Sequence, residues 1–163
     1  MTTMTKTVTN YQNPLQKAQV VKTLKLLIFT VGKLNLALPI ERVKKVVNYT
    51  PIHGSGLSFV GVAHVGEQEI TVIDLHQRLF HESEAIQSGT KGYLIMAKNN
   101  QGELFGIWVG KTPTLIDVSL NQIRELPASY RRSDTLQIAS HVTVIQEKEQ
   151  SLTVFIIDSD QLL

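Results

Sequence analysis

Apolar and polar positions divide this chain into short runs of period two and a few longer runs with no polar gap. Leu24 to Val31 is an apolar run rich in β-branched and aromatic residues, and Gly32-Lys33 after it predicts a tight turn. Leu34, Leu36 and Leu38 alternate with Asn35 and Ala37, so a second strand follows. It stops at Pro39, which has no N–H to give a ladder. Ile40 to Val47 fits a helical stripe, but Val43 and Val47 are β-branched, and a short turn with a strand from Val43 is the better reading. Residues 49 to 56 carry Thr, Pro, His, Gly and Ser and read as a loop. Phe59 to Val65 and Ile70 to Ile73 are two more strands, and Leu75 to Phe80 suits one helical turn.

Residues 82 to 92 are polar and form the clearest internal break. Beyond it, Tyr93 to Lys98 and Leu104 to Val109 flank Asn99-Asn100-Gln101-Gly102, a strong hairpin signal. Thr114 to Val118 is a short strand, and Leu120 to Leu126 reads as a helical turn ended by Pro127. Leu136 to Glu147 and Leu152 to Asp158 make a last hairpin around residues 148 to 151. About ten short strands with one or two short helical turns predict an all-β fold, and their spacing suggests barrels or a sandwich; as barrels, there would be two of about five strands each. The barrels are expected to divide near 82–92, with a return of the C-terminal strand to the first half left open.

Composition changes this picture only at the N-terminus. Hydrophobic residues are 42% and charged residues 18% of the 163, as in an ordinary globular chain. Residues 1 to 22 are poor in apolar side chains and lack periodicity, so they are expected to be a disordered tail ahead of a folded unit from 23 to 163. Lys6, Lys17, Lys22 and Lys25 account for four of the 16 basic residues, and no acid lies among them. Beyond residue 25 the remaining 12 basic residues face all 14 acids, so that part is slightly acidic and nucleic acid is not favoured as a partner. No apolar run approaches the length of a membrane span, and no apolar segment follows the first residues as a signal would require. Cysteine is absent, which removes disulfides and thiolate metal sites and agrees with a cytoplasmic location.

No constellation of catalytic or metal-binding residues emerges. The densest cluster is Asp74 and His76 with Arg78, His81 and Glu82, whose spacing matches no ligand signature. A strand-ending Asp and a turn-starting His explain it as well. Gly54-Ser55-Gly56 is too short for a nucleophile elbow, and Walker and dinucleotide loops are missing. Glu67 and Glu69 sit in a polar turn, where solvated carboxylates are ordinary. No catalytic residue, no metal and no cofactor is therefore expected, and a binding module is favoured over an enzyme.

Three stretches resemble the CheW-like family. One is Leu27-Ile28-Phe29-Thr30-Val31-Gly32 with Leu36-Ala37-Leu38-Pro39-Ile40-Glu41-Arg42-Val43. The next is Gly61-Val62-Ala63 with Ile70-Thr71-Val72-Ile73-Asp74-Leu75. The last runs from Phe105-Gly106-Ile107-Trp108-Val109 through Ile123-Arg124 and Pro127 to Val154-Phe155-Ile156-Ile157-Asp158. The resemblance implies two packed barrels, no catalysis and an adaptor role in bacterial chemotaxis. The implied partners are the regulatory domain of a CheA-type histidine kinase and the cytoplasmic tip of a methyl-accepting chemoreceptor, with recruitment to membrane receptor arrays and no insertion into the membrane. Its partner-binding positions fall on Ile40, Val43, Gly61, Val62, His64, Val65, Gly66 and Glu67. The family's asparagine-leucine-arginine-glycine turn is replaced here by His64-Val65-Gly66-Glu67, so the arginine is missing and an acid lies beside its position. A large residue at Gly61 or Val43 is expected to weaken partner binding and leave the fold intact. The competing reading is a regulatory β-barrel for a small ligand or RNA, which requires an apolar pocket or an aromatic stacking platform.

Overall fold

The computed structural model describes residues 22–48, 51–54, 58–81, 92–131 and 137–162. The expected tail at 1–22 therefore lies outside the described residues, apart from Lys22, as does the polar break at 82–91. Twelve strands are described. They are β1 (Thr23–Val31), β2 (Leu34–Pro39), β3 (Val43–Val47), β4 (Ile52–His53), β5 (Val60–Val65) and β6 (Gln68–Ile73) in the first half of the chain. The second half supplies β7 (Tyr93–Lys98), β8 (Leu104–Val109), β9 (Thr114–Ser119), β10 (Ile123–Glu125), β11 (Ala139–Glu147) and β12 (Gln150–Ile157). Helix is limited to α1 (Leu75–Phe80), α2 (Ala128–Arg131) and three 3-10 turns at Ile40–Arg42, Leu120–Gln122 and Ser159–Gln161.

The strands form two six-stranded sheets, ordered β9-β1-β2-β12-β11-β10 and β3-β7-β8-β6-β5-β4. The chain is all-β in two layers, as the pattern predicts, with six strands in each sheet rather than five. The added strands are β4 and β10, in stretches that read as a loop and as a helical turn. Two or three residues are too few to show a period. They become strands by pairing with a neighbour, Ile52 with Ala63 and Ile123 with Thr143.

The two sheets share one plan. A hairpin (β1-β2 or β7-β8) carries an edge strand on one side (β9 or β3). On its other side it pairs in parallel with the last strand of a three-strand antiparallel run (β10-β11-β12 or β4-β5-β6). Each half of the chain gives its opening hairpin to one sheet and its other four strands to the second. The break near 82–92 thus separates two interlocked repeats. It does not separate the sheets, since β5, β6, β7 and β8 on either side of it share one sheet.

This swap explains the unbroken apolar runs. Leu27, Phe29 and Val31 of β1 with Leu36 and Leu38 of β2 meet Ile95, Ala97, Phe105, Ile107 and Val109 from the other sheet in the inter-sheet core. Leu26, Ile28 and Ala37 point the opposite way, into a second cluster with Val118, Val154 and Ile156. Ile116 of the edge strand β9 and Ile123 of the opposite edge β10 both pack on that cluster, so the sheet curls around its own core. The other sheet does the same, gathering Val47 of β3 and Ile52 of β4 around Ala63, Val72, Leu94, Met96 and Trp108. Strands buried on both faces need no polar alternation. Among the described residues the inter-sheet core holds 16 buried side chains against six in each sheet's own core, so most of the clustered apolar burial lies between the layers.

Candidate partner-binding surface

The chain leaves the first sheet at Pro39, makes one 3-10 turn and enters the second sheet as the edge strand β3. Val43 pairs with Ala97 and Val46 with Ile95, and both partners lie in the inter-sheet core. Val43 and Val46 therefore point toward the boundary between the sheets. Val43 is half-buried against that core, while Val46 stays 41% exposed. The register shifts between Val43 and Lys45, and Lys44 and Lys45 are both exposed. Ile40 is half-buried at the start of the turn. With Val43 and Val46 it makes an apolar series at three-residue spacing along the edge.

Arg42 anchors this corner. Its guanidinium donates to the side-chain oxygen of Asn100 in the β7–β8 turn. The Asn100 backbone N–H donates to Asp160 Oδ1 at 2.9 Å, and its side-chain amide donates to the other carboxylate oxygen. Three segments from both sheets are thus tied through one amide.

The remaining predicted positions lie on β5 and its turn to β6. Gly61 lies against β4: a Cβ there would stand 2.9 Å from Ile52 Cγ2 and 3.0 Å from the His53 carbonyl oxygen. The glycine is what lets β4 approach. A large residue at Gly61 displaces β4, so the expectation of an intact fold fails at that position. It is also unsafe at Val43, which packs on the inter-sheet core. Val62 is half-buried and Val65 packs on the second sheet's own core. His64 and Glu67 are exposed, and Gly66 holds a φ of +64° in the turn, with open space around it. His64 Nε2 lies 3.5 Å from Glu69 Oε2 with both side chains well exposed, a pair that contributes little to stability.

The eight predicted positions therefore fall into two groups, Ile40 with Val43, and Gly61 to Glu67. In ladder order three strands, β7, β8 and β6, separate them. Exposed apolar side chains that sequence reasoning missed join each group. Val46 extends the first, and Val60 at the start of β5 extends the second. Leu115, on the edge strand β9 opposite Leu27, is the counterpart of Val46 in the other sheet and is 52% exposed. In a β-branched run the sequence carries no sign of which valine stays outside.

The candidate metal cluster resolves into structural roles. The Asp74 carboxylate caps α1 by accepting from the Gln77 backbone N–H at 3.1 Å, and the His76 ring packs on Phe80. His81 closes the helix in the left-handed region with φ 63°. Glu82 lies outside the described residues. Among the described residues no three His, Asp or Glu side chains converge as a metal site would need. Phe105 and Trp108 are buried and Tyr93 packs on the inter-sheet core, so these aromatics form no stacking platform. Clefts of about 310 and 540 Å³ open at two places on the first sheet. The smaller is lined by Leu24, Pro39, Leu120 and Ile123, the larger by Ile28, Ile116, Ile145 and Leu152.

Two interlocked, curled sheets with exposed apolar side chains along their edges define the architecture of the chain. The family model of the CheW-like domain matches residues 25–163, and the chain belongs to the CheW-like family. No curated protein matches the chain in sequence. Among solved structures it is similar to the scaffolding protein TtCheW from Thermoanaerobacter tengcongensis, with a TM-score of 0.67 over 86% of this chain and 87% of that one, at 18% identity. That likeness is one of fold. No helix among the described residues is long and apolar enough to cross a membrane.

Proposed function

We propose that this protein is a non-catalytic adaptor of chemotaxis-type signalling. It joins the cytoplasmic tip of a methyl-accepting chemoreceptor to the regulatory domain of a CheA-type histidine kinase, and it works in the cytoplasm at receptor arrays. The observation that carries this reading is the CheW-like match across nearly all of the chain after residue 24. The turn and edge strand from Ile40 to Val47 offer a row of apolar side chains for a helical receptor tip. The β5–β6 region from Val60 to Glu67 serves the kinase domain.

Val46→Asp and Glu67→Arg test this assignment, since both side chains are exposed and the fold does not depend on them. In co-purification with the kinase and a receptor fragment, Val46→Asp is expected to weaken receptor binding by about 2 kcal/mol, roughly 30-fold, as for a central apolar contact. Glu67→Arg should alter kinase binding alone. Unchanged binding of both partners by both variants, at unchanged melting temperature, rejects the assignment.

A further inference from the structure

The shared plan of the two sheets lets their own cores be matched position by position. Ile156 of β12 lies beside Ala37 and Val72 of β6 beside Gly106, each two residues ahead of a capping aspartate. On that register Pro39, opposite Leu26, is the counterpart of Trp108, opposite Leu94. The same register matches Ile123 with Ile52, His141 with Gly61 and Leu24 with Gly92. In the second sheet the Trp108 indole fills this place. It is buried in that sheet's own core, and a Cβ at Gly92 would stand 2.7 Å from its ring. In the first sheet the own core is aliphatic throughout among the described residues. Leu24 is only half-buried there. The cleft of about 310 Å³ lies at this place, lined by Leu24, Pro39, Ile123 and Ile156.

We infer that this cleft binds a small, uncharged aromatic heterocycle of indole size that carries a ring N–H. The sister sheet identifies the occupant, because there the same strand geometry closes around an indole. The four apolar side chains suit the faces of such a ring. Its N–H needs an acceptor when buried, and the carboxylates of Glu41 and Asp158 at the rim can supply one. Arg42 also stands at the rim, so neither sign of charge dominates and a neutral ring is the better fit. His141 occupies the position where Gly61 lets β4 close on β5, and its Nδ1 lies 2.7 Å from Ser140 Oγ. The site does not depend on the adaptor reading.

The test titrates the full chain with indole, followed by calorimetry and by backbone amide chemical shifts. Half-saturation is expected at about 1 mM or tighter. The shifts should centre on Leu24, Ile123 and His141. Leu24→Gly/Pro39→Trp copies the Gly92 and Trp108 pair into the first sheet and should weaken indole binding ~10-fold or more. If that variant does not melt like wild type, Leu120→Trp replaces it, at a cleft-lining side chain that is 46% exposed, with the same loss expected. No indole binding by folded wild type overturns the inference. Binding retained in full by a folded filling variant, or shifts centred on the larger cleft at Ile116 and Ile145, also overturns it. Tighter binding of the blocked tripeptide Gly-Trp-Gly than of indole overturns the small-molecule ligand and assigns the cleft to a tryptophan of a partner chain.

Discussion

At the scale of single residues, two aspartates show how the repeat is punctuated. Asp74 ends β6 and Asp158 ends β12, the equivalent strands of the two sheets. Asp74 accepts from the Gln77 N–H at 3.1 Å and Asp158 from the Asp160 N–H at 3.0 Å. Each caps the helical turn that follows. Asp74→Ala is expected to lower stability by about 1 kcal/mol, as for other N-caps, read as a shift in denaturation midpoint at constant slope. Arg78 is the opposite case. Its Nη1 is buried without a partner, its Nη2 donates to the Gln161 carbonyl at 3.3 Å, and its guanidinium lies 5.5 Å from the Phe59 ring centre. Burial lowers its pKa. A cation held this way stabilises mainly through its stem and its ring contact. Arg78→Met should therefore keep or raise the melting temperature, whereas Arg78→Ala should lower it. The capping Asp was legible as the end of an apolar strand. The orphaned Nη1 was not, because it depends on Phe59 and Gln161, which are remote in sequence.

Among elements, legibility followed burial geometry. The hairpins β1-β2 and β7-β8 were plain in the sequence because long apolar runs flank compact turns at Gly32-Lys33 and at Asn99 to Gly102. The absence of alternation in Leu26–Phe29 has its cause in two cores, one on each face. Phe29→Ala should accordingly cost about 3–5 kcal/mol, while Val144→Ala, at a side chain 48% exposed, should stay within about 0.5 kcal/mol. Thermal melts of the two variants check the contrast. The strand β10 was misread as part of a helical turn. Leu120–Gln122 is indeed a 3-10 turn, but Ile123–Glu125 extends to pair with β11. Nothing local favours that extension over continued helix, and the free edge of β11 decides it.

In the whole molecule the governing feature is the exchange of hairpins between the halves. Neither half contains a complete sheet. Cutting the chain between 82 and 92 should give two fragments that are each unfolded alone and that regain the β-sheet circular dichroism signal when mixed. Independent folding of either fragment would show that the inter-sheet core is not essential to it. The same exchange runs the chain directly from β2 of one sheet into the edge strand β3 of the other, within one 3-10 turn.

The sequence by itself determined the all-β class, the main strands and the family. These depend on local period, turn residues and spaced motifs, all carried by neighbours along the chain. Tertiary structure alone decided which strands share a sheet, that β4 and β10 exist, that Gly61 serves β4, and that Val46, Lys44 and Lys45 stand at an exposed edge. Those facts depend on pairings between residues remote in sequence. In a strand that is half apolar and half basic, burial is set by the neighbour that is present on one side and missing on the other.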